Sequence, residues 1–286
     1  MMLKKSFKRV LKAILVIFFI GLFGGTNVSA TITGNNTLND AYVMGYWEYY
    51  TPDTTWLEPN INEAYYKFTA SAGDKIYART SYNDSYLGMT IETLDSTGKR
   101  INLGDTIINT TPYYLPFLFA NADADMNTQT FYIKVTRGSY TGDMYFTVTV
   151  EKRIYSANGT FDFVGTASNP GNPDILTNPN GVDSSIITMN LTNNSSIPNG
   201  AIVKSITTTG TVTPSKGGIL HKISSSQDST WYTSSVLGSN YPIGLDNGLE
   251  VKKVWSFKYN QKALGASTIK NVKANINYEY DITNEF

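Results

Sequence analysis

An all-β protein, built as two β-sandwich modules of jelly-roll or Greek-key type behind a signal peptide, is what this sequence predicts, and three observations predict it. The chain carries 20 Tyr, 13 Phe and 4 Trp among many Thr, Ile and Val, residue types that fit a pleated, half-buried surface. Apolar and polar residues alternate in short runs separated by Gly, Asn, Asp and Pro, as strands joined by turns do. After residue 30 no segment sustains a helical period over three turns.

Residues 1–30 read as an export signal. A basic run, Lys4, Lys5, Lys8, Arg9 and Lys12, precedes an apolar stretch from Ala13 to Phe23, and Val28-Ser29-Ala30 supplies the small residues of a cleavage site. Gly21, Gly24 and Gly25 interrupt the apolar stretch, which falls short of the roughly 20 residues that span a bilayer. Cleavage after Ala30, secretion, and no stable membrane insertion afterwards are therefore expected. The full chain balances 23 basic against 23 acidic residues; without the five basic charges of the signal it has 18 against 23, a net charge of −5. No basic stripe remains to displace counterions from a phosphate backbone, so nucleic acid is excluded as a partner. With no cysteine, disulfides, thiolate zinc sites and thiol catalysis are excluded as well.

The first module is expected over 31–152. Ala64 to Thr69 alternates, Ser71-Ala72-Gly73-Asp74 turns, and Lys75 to Thr80 alternates again. Leu87 to Leu94 forms a further strand, which Asp95-Ser96-Thr97-Gly98 turns into Lys99 to Leu103. Thr130 to Thr136 and Gly142 to Val150 make a strong final pair. The second module, 153–286, begins in a stretch rich in turn signals: Asn158-Gly159, Asn169-Pro170-Gly171-Asn172-Pro173 and Asn178-Pro179-Asn180-Gly181. Because Thr160 to Val164 alternates, the module starts either with that strand or after the loop. Strands follow at Ser185 to Leu191, Ala201 to Thr209, Gly218 to Ile223, Gly248 to Tyr259 and Thr268 to Ile282.

Several of these pieces carry a resemblance. Asn35-Asn36-Thr37-Leu38-Asn39-Asp40-Ala41, Tyr66 to Asp74, Leu94 to Gly98, and Phe131 to Val135 before Gly142 to Tyr145 stand in an order similar to that of the bacterial pre-peptidase C-terminal (PPC) domain. That family is a secreted β-sandwich often appended to extracellular proteases, and the likeness covers roughly residues 35 to 152. Ile202 to Ile206 and Ile219-Leu220-His221 resemble a P-domain-like jelly roll of secreted proteases. Both resemblances imply accessory modules rather than a catalytic domain. Some sandwiches similar to the first module clip their N-terminal linker to the sheet with calcium, which here implies Ca2+ ligands at Asn36, Asn39, Asp40, Glu63 and Asp84. An ordinary polar N-terminus accounts for the same residues.

His221 is the single histidine and lies in an apolar run, with neither a G-x-S-x-G elbow nor H-E-x-x-H in the chain; a strand histidine satisfied by a neighbour is expected. Asn121 to Asn127 spaces oxygens as calcium loops do, but counting from Asp123 places Thr128 and Lys134 where an EF-hand needs Gly and Glu. The densest chemical signal is Tyr46, Trp47, Tyr49, Tyr50 and Trp56, set among Glu48, Asp53, Glu58 and Glu63. Such rings either pack over the sandwich or stack on a ligand, and the same choice holds for Tyr113, Tyr114, Phe117 and Phe119. A secreted, non-catalytic binding or adhesion protein for an extracellular polysaccharide, cell wall or matrix protein is the leading expectation. A carbohydrate-active hydrolase with paired carboxylates and a structural matrix protein are the alternatives.

Overall fold

The computed structural model describes residues 31–109, 115–215 and 217–286. The export signal and the expected ligand or core roles of Tyr113 and Tyr114 lie outside the described residues. The protein is all-β, and among the described residues no helix is long and apolar enough to cross a membrane. The chain divides into two compact units, Met1–Glu151 and Lys152–Phe286.

Unit 1 contains β1 (Tyr42–Tyr46), β2 (Thr54–Leu57), β3 (Glu63–Ala70), β4 (Lys75–Ser81), β5 (Thr90–Leu94), β6 (Arg100–Gly104), β7 (Phe117–Asp123), β8 (Gln129–Thr136) and β9 (Met144–Lys152). They form two sheets, ordered β1-β3-β8-β5-β6 and β2-β9-β4-β7. The alternation in β3 explains why they face each other: Ala64, Tyr66, Phe68 and Ala70 are buried, while Tyr65, Lys67 and Thr69 look outward. Phe68 and Phe131 of one sheet meet Ile76, Leu118, Phe146 and Val148 of the other in a single core. At one edge the sheets nearly touch, since a Cβ on Gly104 of β6 would lie 1.8 Å from the carbonyl oxygen of Phe119 in β7. Only glycine permits that approach.

Unit 2 contains β10 (Ile154–Asp162), β11 (Ala167–Asn169), β12 (Val182–Asp183), β13 (Ile187–Asn190), β14 (Ile202–Thr213), β15 (Ile219–Ser225), β16 (Trp231–Thr233), β17 (Val254–Gln261) and β18 (Ser267–Asp281). The long strand β18 pairs with β10, β11 and β14, while β17 pairs with β12, β13 and β15, and β15 with β16. Trp255, Phe257 and Tyr259 of β17 and Ile269, Val272, Ala274 and Ile276 of β18 are fully buried between the sheets.

Three expectations need correction. Asn158-Gly159 does not turn the chain: both residues sit within β10, opposite Asn277 and Ile276 of β18. Asn121 to Asp123, read as the start of an oxygen-rich loop, completes β7 against Lys75 to Tyr77. The stretch holding Tyr46 to Trp56, where no strand is expected from the sequence, runs from the end of β1 into β2, because pairing with β3 and β9 satisfies backbone groups that the local sequence leaves ambiguous.

In β18 the buried positions change phase, from Ser267 and Ile269 to Val272, Ala274, Ile276 and Tyr278. Asn271 causes the change. It takes φ +52° where Gly210 alone faces Asn271 and Val272, an extra residue that moves every later side chain to the other face. Asn tolerates this left-handed conformation and β-branched residues do not. Asn271→Val is therefore expected to lower stability in urea unfolding by about 1–2 kcal/mol, with Asn271→Gly close to neutral.

Candidate functional site

The five aromatic residues expected to act together fall into separate places in unit 1. Gly45, at φ +80°, marks a bulge in the parallel β1–β3 pairing, so Tyr46 and Trp47 swing toward the turn that follows β3. Asp74 receives them there. Its Oδ2 accepts hydrogen bonds from the Tyr46 hydroxyl at 2.9 Å, the Trp47 Nε1–H at 2.8 Å and the Ser71 N–H at 2.8 Å. Partial burial opposes the charge on this carboxyl, but the three donors outweigh it and hold Asp74 below the usual carboxylate range. The rings of Tyr46 and Tyr49 lie 5.5 Å apart and those of Tyr46 and Trp47 6.1 Å apart, all tilted to one another. Trp47 rests partly on the core, whereas Tyr49 is 81% exposed.

Tyr50 turns inward. It meets Tyr42 edge-on at 6.3 Å and packs against the core, and burial pushes its phenol up to about 12. Trp56 belongs to β2, directly opposite Tyr145 of β9, and donates from Nε1 to Asp143 Oδ1 at 2.9 Å. The cluster thus resolves into an exposed platform of Tyr46, Trp47 and Tyr49, an inward Tyr50, and Trp56 on a sheet face.

Of the residues implied for calcium, Asp40 and Glu63 have protein partners of their own. The N-terminal segment is clipped to β3 by Asn35, which accepts from the Tyr65 N–H at 2.7 Å and donates from its amide to the Tyr65 carbonyl at 2.8 Å. Asp40 accepts from the Thr37 hydroxyl at 2.7 Å. Glu63 accepts from the Tyr65 hydroxyl at 2.6 Å and lies 3.8 Å from the Lys134 ammonium. Asp84 sits in the turn after β4, beside Asn83, which caps Ser85. Among the described residues no group of three or more His, Cys, Asp or Glu gathers around one point, so Asp40, Glu63 and Asp84 do not converge. Two carboxylates do meet on the outward face of β3, β8 and β5: Glu92 lies 3.1 Å from the same Lys134 ammonium as Glu63. Both pair with that one lysine.

His221 is buried in β15 and its Nδ1 lies 2.8 Å from the Thr208 hydroxyl, which also meets the Tyr241 hydroxyl at 2.6 Å. Phe257 packs edge-on at 5.0 Å, and burial lowers the imidazole to about 4. The folded protein keeps His221 neutral, whereas the unfolded chain protonates it near 6.5. The unfolded state then binds more protons between these values, so stability falls as pH drops from about 6.5 toward about 4. This loss is expected to reach about 3 kcal/mol, measured by urea unfolding across that range, and to shrink in His221→Asn.

Two residues that motif reasoning passed over organise the surroundings of Trp56. Arg137, buried just past β8, donates from Nε to the carbonyl of Ile61 at 2.7 Å. Its two terminal nitrogens reach the carbonyls of Leu57 at 3.0 Å, Tyr140 at 3.1 Å, Gly142 at 2.5 Å, and Glu58. Tyr145 is 56% exposed, and its N–H donates to the Tyr86 hydroxyl at 3.0 Å. A single-residue scan sees Arg137 as one more surface charge, and its role arises from loops up to 80 residues away. Arg137→Met is expected to cost about 3 kcal/mol or more, because it takes the guanidinium donors away from five carbonyl oxygens; urea unfolding measures it, with Arg137→Lys intermediate.

No protein-family model matches the chain. Solved structures similar to it include the pre-peptidase C-terminal domain of a collagenase from Bacillus anthracis, 18% identical over 39% of this chain and 94% of that one with a TM-score of 0.30. Another is a protein of Eubacterium rectale, 11% identical over 87% of this chain and 84% of that one with a TM-score of 0.33. The uncharacterized protein YbdN of Bacillus subtilis (strain 168) is 49% identical over 259 residues, 89% of this chain and 90% of its own length. Identity at that level over nearly the whole of both sequences makes this chain a member of the YbdN family.

Proposed function

We propose that this protein is secreted and binds a neutral extracellular polysaccharide, of a cell wall or a matrix, without altering it chemically. The observation that carries the reading is the platform of Tyr46, Trp47 and Tyr49, in which the polar hydrogens of Tyr46 and Trp47 are spent on Asp74 Oδ2. With Tyr46 and Trp47 tied down, little side-chain freedom is lost when a ligand arrives. The face of an aromatic ring is negative, and the C–H bonds of a sugar ring present weak positive charge to it. The carboxylate at the base of the platform disfavours an anionic polymer. The secreted site of action is supported by the basic, apolar and small-residue order of residues 1–30.

The test is retention on insoluble cellulose, chitin, β-1,3-glucan and peptidoglycan. Retention on at least one is expected, and Trp47→Ala/Tyr49→Ala is expected to weaken it about tenfold or more, in line with roughly 0.5–1.5 kcal/mol per stacked ring, while leaving the circular dichroism unchanged. A double variant that binds as well as the unaltered chain would rule the platform out.

A further inference from the structure

We infer that unit 1 carries a second stacking subsite for the same class of polymer, formed by Trp56 and Tyr145 on the outward face of the sheet β2-β9-β4-β7; this rests on the reading of the first platform as a polysaccharide site. Strand alternation puts the two rings there. Thr55 and Leu57 of β2 and Met144 and Phe146 of β9 are buried, so Trp56 and Tyr145 between them point away from the core. They are direct partners in the β2–β9 register.

The subsite is built rather than incidental. Asp143 fixes the indole through its Nε1–H, and Tyr86, packed on Tyr140 at 5.1 Å, fixes the backbone of Tyr145. Arg137 holds the carbonyls of Leu57 and Glu58, immediately after Trp56, and those of Tyr140 and Gly142, immediately before Asp143. One guanidinium therefore sets both segments that carry the rings and the carboxylate. Supporting residues of this kind keep a binding surface in one geometry before its ligand arrives.

The chemistry beside the rings suits sugar. One position further along the same face, Thr54 of β2 faces Thr147 of β9, whose hydroxyl lies 3.4 Å from that of Ser81 in β4. Rings for the C–H faces of a sugar thus adjoin a row of hydroxyls for its O–H groups. The charge placed at the rings is Asp143, which opposes an anionic chain as Asp74 does at the first platform. Two subsites on one unit favour a long polymer over short pieces, because the second contact forms at high effective concentration once the first is made.

The experiment compares the full chain, expressed in a Bacillus host, with Trp47→Ala/Tyr49→Ala and Trp56→Ala/Tyr145→Ala. Retention is measured on the polysaccharide that the unaltered chain binds, and tryptophan quenching by soluble oligosaccharides cut from it, from the disaccharide upward. Trp56→Ala/Tyr145→Ala is expected to reduce polymer retention about tenfold or more, to abolish the gain in affinity with oligosaccharide length, and to leave disaccharide binding unchanged. Trp56→Phe/Tyr145→Phe, which keeps the rings, is expected to restore most of the retention, separating a lost contact from a lost fold. Retention and length dependence at the unaltered level in Trp56→Ala/Tyr145→Ala, while Trp47→Ala/Tyr49→Ala releases the polymer, would sink the second subsite and leave the first standing. If neither double variant loses retention, or no polysaccharide holds the unaltered chain, both subsites fall.

Discussion

A single buried guanidinium orders much of unit 1. Removing a charge from water costs several kcal/mol, and among the described residues Arg137 meets no carboxylate to offset that cost. Five carbonyl oxygens do so instead. Those oxygens belong to Leu57 at the end of β2 and to two irregular segments, 58–61 and 140–142, which the guanidinium ties together. The cation needs the loops and the loops need the cation, and this mutual requirement selects one conformation for both. Because the two segments flank Trp56 and Asp143, the same constraint reaches the outward face of the sheet.

The two aspartates beside the tryptophans follow a related logic. An indole N–H needs an acceptor when its ring is partly covered, and an aspartate at the end of a strand offers one without entering the core. Asp74 serves Trp47 and Tyr46 together with its own turn, and Asp143 serves Trp56. Each carboxylate fixes the orientation of a ring whose surface is left partly open to solvent. The result is aromatic surface held in place by local electrostatics rather than by burial alone.

Unit 2 places its buried polar groups inside. The Ser267 hydroxyl bonds the Tyr259 hydroxyl and donates to the Gln261 side-chain carbonyl, and Gln261 also donates to the carbonyls of Ala263 and Gly265 in the turn between β17 and β18. On the outward face Asp183 bridges Lys222 and Lys258. Burial works against its charge, but the bonds from Lys258, Asn260 and Lys222 hold it at about 2. Trp231 covers Lys258 at 4.2 Å. These contacts fix strand positions and leave His221 as a packed core residue, as its apolar neighbours in the sequence suggested.

The sequence by itself determined that the protein is all-β and where its strongest strands run, because alternation over runs such as Glu63 to Ala70 and Met144 to Val150 is a property of neighbouring residues. It also singled out the aromatic stretch from Tyr46 to Trp56. What it could not carry was the sorting of those five rings, since that depends on Asp74, on Tyr145 and on Arg137, each brought in by pairing across tens of residues. Nor could it identify Asn158-Gly159 as strand or Asn271 as a bulge, because the preference of Asn and Gly for turns is local and the pairing of β18 overrides it. Local pattern decides which residues face inward; only the tertiary structure decides what meets them there, because hydrogen bonds and ring contacts depend on distance in space and not along the chain.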